Sequence, residues 1–311
     1  MRAIVAWILA PTETSERSRG VGLAGLRVLV GLLWLYNVEW KRPPEFGRDT
    51  GGQLYGYVQG AVDDPFFPPY SWVLEQLVLP NFGFFGWVVL VVESLLAAFL
   101  IAGAFTRLWA LVGAGQALAI GLSVVTAPGE WPWGYHMLIG IHLVLFATAA
   151  GAYAGVDGVR ARGGGEAAWR GLGVAGAVTT VVAVGSLPFT VGDPLAGSGS
   201  GLRTGELELS LGRYNLLGAV LLAALGVGLL AAGRLRSRAT ALIIGALAVV
   251  ATLSVWLQLA SGDVFLGANG TAAAVYLTVA VAALSLAALT PAHEPVPRDE
   301  PVPRDTTPAR P

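Results

Sequence analysis

Apolar runs, each about as long as a membrane is thick, constrain this chain more than any other feature of its sequence. A helix needs about 20 apolar residues to cross the hydrocarbon core of a bilayer. Only 13% of the 311 residues are charged and 55% are hydrophobic, whereas a soluble domain has about 25% charged residues. The sequence therefore predicts an all-α membrane protein with eight transmembrane helices. The predicted spans are residues 20–38, 83–104, 108–126, 135–155, 170–189, 214–232, 239–259 and 271–290.

The basic residues between these runs predict an orientation. Loops on the cytoplasmic side of a membrane carry an excess of Lys and Arg. When the N-terminus is placed in the cytoplasm, most of the 19 Lys and Arg residues fall on the cytoplasmic side. We therefore expect a multi-pass protein of the cell (plasma) membrane, with both termini cytoplasmic and loop 39–82 outside.

Two similar segments predict an internal repeat. AGAFTRLWALVG at 102–113 resembles AGRLRSRATALIIG at 232–245, and each lies at a turn between two apolar runs. This spacing predicts two parallel four-helix repeats. The predicted organisation is an N-terminal interfacial segment at 1–19, a four-helix bundle at 20–163, a second four-helix half at 164–290, and a disordered Pro-rich tail at 291–311. Short helices lying in the membrane interface are predicted within loop 39–82, broken at DDPFFPP.

One carboxylate, Glu93, lies in the middle of the second predicted span. A charge at that depth costs roughly 2.5–3.5 kcal/mol even on lenient scales, so it is expected to have a partner or a function. Helical spacing places Glu93 on one face with Gly86 and Ala97, whose small size lets another helix approach. We expect Glu93 to point into the bundle and to pair with Arg27. A proton acceptor, a hydrogen-bond partner of a quinone and a purely structural ion pair all remain open for it.

Polar side chains near the outer surface complete the candidate site. His142 lies in the fourth predicted span, and a histidine there is more often a helix–helix hydrogen bond than a ligand. His136, Trp131 and Trp133 lie at the outer rim, where aromatic rings anchor to the interface. Gln116 lies beside a close-packing face of the third span. Asn37, Glu39 and Lys41 are interpreted as a solvated helix end.

Several functional classes are excluded or disfavoured by composition. The chain has no cysteine, so thiolate metal sites and iron–sulfur clusters are excluded. His136 and His142 are about 240° apart around a helix, so they do not share a metal, and no haem or other metal is expected. A net charge of −1 gives no reason to expect nucleic acid. The second half has no strongly ionisable residue in the middle of any span, which places the chemistry in the first half.

Three segments resemble the DoxX/DoxD family over about residues 20–160. They are RVLVGLLWLYNVEWKR, LPNFGFFGWVVLVVESLLAAFLIAGAFTR and PGEWPWGYHMLIGIHLVLFATAAGAYAGVDG. The resemblance implies a four-helix membrane bundle in this DoxX/DoxD-like part. For the DoxD branch it implies the membrane subunit of a thiosulfate:quinone oxidoreductase. The second half of the chain lies outside the resemblance.

The sequence thus leads to one main functional hypothesis and two alternatives. The main hypothesis is a quinone-interacting subunit of a membrane redox system, an oxidoreductase subunit that receives electrons from a redox partner subunit or from the substrate. The quinone head group would lie near Glu93, Arg27 and His142, with Trp131, Trp133, His136 and Gln116 as further binding residues. A non-catalytic membrane scaffold that docks partner proteins is the first alternative. A small-molecule transporter, which the repeat permits, is the second.

Overall fold

The structure, a computed structural model, describes residues 16–190, 198–204, 207–261 and 264–291. Most of the predicted interfacial segment 1–19 and nearly all of the predicted tail 291–311 lie outside these described residues. Every predicted apolar run coincides with a helix. The helices are α1 (Glu16–Glu39), α2 (Gln53–Asp63), α3 (Pro68–Val73), α4 (Phe82–Ala102), α5 (Thr106–Val124), α6 (Pro132–Ala147), α7 (Val156–Ala161), α8 (Glu166–Ser186), α9 (Leu216–Leu235), α10 (Arg238–Leu259) and α11 (Gly270–Ala288).

Seven helical segments of the described chain are long and apolar enough to cross a membrane, as expected of a multi-pass membrane protein. These are α1, the continuous run Pro68–Ala102 that ends with α4, α5, the run Glu166–Phe189 that begins with α8, and α9 to α11. The helical membrane class is thereby confirmed, whereas eight crossings stay a prediction. The short helices predicted inside loop 39–82 are present as α2 and α3, separated at residues 64–67.

The fourth predicted span, 135–155, is shorter than the sequence suggested. Helix α6 has 16 residues and ends at Ala147, so it rises about 24 Å, less than the roughly 30 Å of a hydrocarbon core. Residues 148–155 leave the helix and form turns instead. The reason is a contact: three carbonyl groups of this segment accept hydrogen bonds from Arg27.

A two-stranded sheet, which the all-α prediction missed, lies between α8 and α9. Strands β1 (Ser198–Thr204) and β2 (Leu207–Tyr214) pair antiparallel, with Thr204 opposite Leu207 and Ser198 opposite Tyr214. Strand β2 packs against α1 and α11. The hairpin therefore brings a segment of the second half against the first.

The last helix, α11, is the most enclosed of the candidate spans. It packs against α10 and α8 of the second half and against α4 and α1 of the first. Its buried face is rich in alanine, and Ala274 belongs to the same apolar cluster as Trp34 and Leu96 of the first half. Small side chains permit this close packing on two sides. The two halves consequently share α11, and the proposed repeat stays a prediction.

Glycines hold α8 and α9 at backbone contact. A Cβ atom added to Gly176 would lie 2.5 Å from the backbone nitrogen of Leu230, and one added to Gly226 would lie 2.7 Å from that of Thr180. Both distances are too short for any side chain. Close backbone approach through small residues is how helices associate in a membrane, where lipid is as apolar as leucine.

Candidate functional site

Helix α1 carries three polar side chains at intervals of seven residues: Arg27, Trp34 and Lys41 just beyond its end. Seven residues are almost two full turns, so the three lie on one face of the helix axis. All three residues are buried, with at most 3% of the surface of each exposed. Each contacts a different polar group of the first half, so the bundle contains three separate polar levels.

Glu93 of α4 pairs with Lys41. Lys41 Nζ lies 2.5 Å from Glu93 Oε2, and both side chains are buried. Lys41 Nζ also donates to the carbonyl oxygen of Asn37 at 2.8 Å, and Gln116 Nε2 of α5 donates to Glu93 Oε1 at 3.2 Å. The predicted pairing of Glu93 with Arg27 is therefore wrong. We refer to the three connected side chains as the Lys41–Glu93–Gln116 chain.

The contact between Lys41 and Glu93 is a buried ion pair. Although Lys41 Nζ is close, Glu93 Oε2 is a buried oxygen for which the described residues supply no hydrogen bond. Lys41 Nζ also lies 3.9 Å from the centroid of the Trp40 ring, a cation–π contact. Burial lowers the pKa of Lys41, and the Glu93 carboxylate opposes this shift. The two charges are thus buried together, and each offsets part of the cost of burying the other.

Arg27 lies at the C-terminal end of α4, and its hydrogen bonds with the described residues are all to backbone carbonyl oxygens. Leu100 and Glu93 are seven residues apart, about 10 Å along the helix, so the guanidinium bonded to Leu100 is remote from Glu93. Carbonyls at the C-terminus of a helix carry partial negative charge and attract a cation. This explains why Arg27 does not serve Glu93. Its five acceptors are the carbonyl oxygens of Leu100, Ile101, Ala150, Tyr153 and Ala154.

His142 uses both ring nitrogens, Nε2 in a contact with another helix and Nδ1 within its own helix α6. Trp34 Nε1 donates to His142 Nε2 at 3.0 Å, and Nδ1 lies 2.8 Å from the carbonyl oxygen of Leu138. This arrangement requires the neutral tautomer with the proton on Nδ1. The ring lies against Gly113, where an added Cβ would be 2.2 Å from Nε2. His142 therefore connects α1, α5 and α6, and the described residues show no hydrogen bond between His142 and Glu93.

The outer aromatic residues stay at the surface. Trp131 and Trp133 are 67% and 69% exposed. His136 is exposed too, and its Nδ1 lies 2.9 Å from the carbonyl oxygen of Pro132. None of the three reaches the Lys41–Glu93–Gln116 chain. Of the predicted site residues, only Gln116 lies beside Glu93.

The same loop contributes Glu130, which the sequence reasoning did not select. Tyr57 Oη donates to Glu130 Oε1 at 2.7 Å, and Tyr135 Oη donates to Oε2 at 3.1 Å. The hydrogen bond to Glu130, with burial adding to it, raises the pKa of Tyr57 to about 12. Glu130 thus fastens α2 to the start of α6 and forms part of the architecture around the bundle.

A polar cavity adjoins Lys41. Its volume is about 550 Å³, and we call it the vestibule. Arg213 Nε of β2 lies 2.6 Å from Glu39 Oε1 and so bridges the two halves of the chain across it. The second half, which the sequence predicted to be without site residues, thus forms much of this wall. The lining residues are Glu39, Lys41, Arg42, Pro43, Arg213, Leu259, Ala260, Ser261, Val264, Ala268 and Asn269.

Lys41 is the main residue that sequence reasoning missed. It was interpreted as part of a solvated helix end because it follows a polar run, yet it is 3% exposed. The sequence did offer one signal: Lys41 follows Trp34 by seven residues, as Trp34 follows Arg27, which places all three on one face of the helix axis. Within the described ranges, no three His, Asp or Glu side chains are grouped so that they could hold a metal ion.

No family model, curated protein or solved structure matches this chain.

Proposed function

We propose that this chain is a quinone-interacting subunit of a membrane redox system, as its resemblance to the DoxX/DoxD family implies. The observation that supports this proposal most is the Lys41–Glu93–Gln116 chain, a buried ion pair beside a cavity. Ionisable residues inside a membrane are expensive and mark proton or substrate paths. Reduction of a quinone takes up protons as well as electrons, so such a centre suits it.

Each residue of the Lys41–Glu93–Gln116 chain has a distinct role in the proposed function. Lys41 lines the vestibule, so its ammonium group can donate a hydrogen bond to a carbonyl oxygen of a head group there. Glu93, behind Lys41, accepts and returns the proton through Oε2. Gln116 holds the other carboxylate oxygen and fixes the orientation of Glu93. A bound quinone supplies the electron chemistry, and a partner subunit or the substrate supplies the electrons.

The membrane orientation is part of the same proposal. We place both termini in the cytoplasm and α2 and α3 outside, because the basic residues fall mainly on the inner side. The chain then crosses eight times in two four-helix repeats, with α6 as a short crossing in a locally thinner bilayer. Single cysteines at Asp49 and Arg162 test this, since the chain has no other cysteine. If a reagent added from outside labels Arg162→Cys and not Asp49→Cys, the orientation is the reverse of the one proposed.

A non-catalytic scaffold is the second candidate, and the contacts of Arg27 and His142 favour it. Arg27 bonds α1 to the end of α4, and His142 Nε2 accepts a hydrogen bond from Trp34 of α1. A scaffold would treat Lys41 and Glu93 in the same way, as a fastening between α1 and α4. The two candidates differ in whether the protein carries a quinone.

Solvent extraction of the purified protein, followed by mass spectrometry, separates these candidates. We expect close to one quinone per chain in the wild type and in Glu75→Gln, a control at an exposed carboxylate. The double variant Lys41→Leu with Glu93→Leu should fold and lose the quinone, because the donor at the vestibule is gone. Full quinone occupancy in this double variant, or none in the wild type, would refute the proposal.

A further inference from the structure

The vestibule lies where three candidate spans end on one side of the membrane. Glu39 is the last residue of α1, Leu259 is the last residue of α10, and Asn269 precedes the first residue of α11. All three line the cavity. Its position is consequently at the level of the bilayer interface, between the first and second halves of the chain.

The charges of the described lining residues are unequal. Lys41, Arg42 and Arg213 are cationic, and Glu39 is the acidic member. Lys41 is buried against Glu93 and forms the floor, whereas Arg42 is exposed at the rim. Arg213 is 27% exposed in its side chain. The two guanidinium groups therefore form a cationic rim with one net positive charge, because Glu39 pairs with Arg213, above a floor whose charge is already balanced.

The backbone around Arg213 is held firmly. The Arg213 N–H donates to Thr271 Oγ1 at 3.0 Å, and the Ala268 N–H donates to the Arg213 carbonyl at 3.1 Å. Asn269 Oδ1 in turn accepts from the backbone N–H and the hydroxyl of Thr271. Arg213 is thus fixed to the segment that forms the opposite wall, so the rim is preorganised for a ligand.

We propose that the cationic rim of the vestibule, Arg42 and Arg213, binds a phosphate group. A planar guanidinium group donates two parallel hydrogen bonds to a phosphate, and the net positive charge that Arg42 leaves at the rim attracts it. The cavity volume of about 550 Å³ is in the range of ligand sites. Basic pockets between transmembrane helices bind the head groups of anionic lipids. The phosphate belongs either to such a lipid or to a free ion. It would lie at the rim of the same vestibule whose floor, Lys41, is the proposed quinone contact.

The test compares Arg42→Gln with Arg48→Gln, a change of equal charge at an exposed residue outside the vestibule. The intact protein is studied in nanodiscs of phosphatidylglycerol or phosphatidylcholine, with retained lipid counted by native mass spectrometry. Inorganic phosphate is added alone to detergent-purified protein in a parallel titration. We expect binding to weaken at least about tenfold in Arg42→Gln, which corresponds to about 1.4 kcal/mol, and to stay unchanged in Arg48→Gln.

Two results support the proposal and one overturns it. Preferential retention of phosphatidylglycerol that Arg42→Gln abolishes identifies a lipid head group. Saturable binding of inorganic phosphate with the same dependence identifies a free ion. Equal binding in the wild type, Arg42→Gln and a second variant, Arg213→Gln, overturns it. Quinone content measured on the same preparations keeps this result separate from the proposed function, since Arg42→Gln leaves Lys41 in place.

Discussion

Removing one member of the Lys41–Glu93 pair should destabilise the protein far more than removing both. At 2.5 Å and an effective dielectric constant near 20, the attraction between the two charges is about 7 kcal/mol. Withdrawal of each ion from water costs several kcal/mol, so the pair as a whole contributes little. A lone buried charge keeps the withdrawal cost without the attraction. We therefore expect Lys41→Leu or Glu93→Leu alone to lower the free energy of unfolding by about 3–5 kcal/mol.

The double variant is the decisive member of this cycle. Lys41→Leu with Glu93→Leu places two apolar side chains in a buried site, and we expect its stability to lie within about 1–2 kcal/mol of the wild type. Reversible unfolding by sodium dodecyl sulfate, followed by circular dichroism, measures all four proteins. Glu75→Leu, at an exposed carboxylate, controls for the loss of a negative charge. Additive losses in the double variant would refute the pairing.

Three further predictions concern contacts away from the ion pair. Arg27→Met leaves five carbonyl oxygens without their donor, so unfolding titrations should show a loss of about 3 kcal/mol or more, whereas Arg107→Met at an exposed site should be nearly neutral. Gly226→Leu forces α8 from α9 and should cost at least about 1–3 kcal/mol in the same titrations, while Gly185→Leu, where an added Cβ meets nothing within 4 Å, should not; equal effects would contradict the close packing. Ultraviolet titration should show Tyr57 ionising near pH 12, identified by difference from Tyr57→Phe, and at lower pH in Glu130→Gln. Because the pKa is raised on folding, this contact stabilises fully below pH 10 and is lost as the pH rises through about 12.

The helices and the direction of Glu93 could be predicted because they depend on local pattern. Apolar runs of the required length specify spans, and all of Gly86, Ala97 and Glu93 are buried as their shared face suggested. Small residues next to a carboxylate on one helical face can be read from spacing alone.

The partner of Glu93 could not be predicted because it depends on how far helices slide past each other. Arg27 was chosen since it is the basic residue inside the first span, but the end of α4 and the turn after α6 offer it five carbonyl groups. Lys41 follows the end of its helix, and its side chain folds back one turn to the Asn37 carbonyl. The pattern of apolar residues does not predict which carbonyl or carboxylate groups either side chain contacts.

The vestibule could not be predicted from the sequence for a related reason. It requires β2 and the segment before α11 to meet the end of α1. Arg213 and Glu39 are distant in sequence and belong to different halves, and no local pattern predicts that they form an ion pair.

The proposed function requires that Glu93 change its protonation state when a quinone is reduced. Infrared difference spectroscopy on the reconstituted protein, recorded as a bound quinone is reduced, measures this directly through the carboxyl stretching band. We predict a band that appears on reduction in the wild type and in Glu75→Gln and is missing from Glu93→Gln. A spectrum in which reduction proceeds and the carboxyl region is identical in the wild type and Glu93→Gln would contradict the account and leave Glu93 as a structural partner of Lys41.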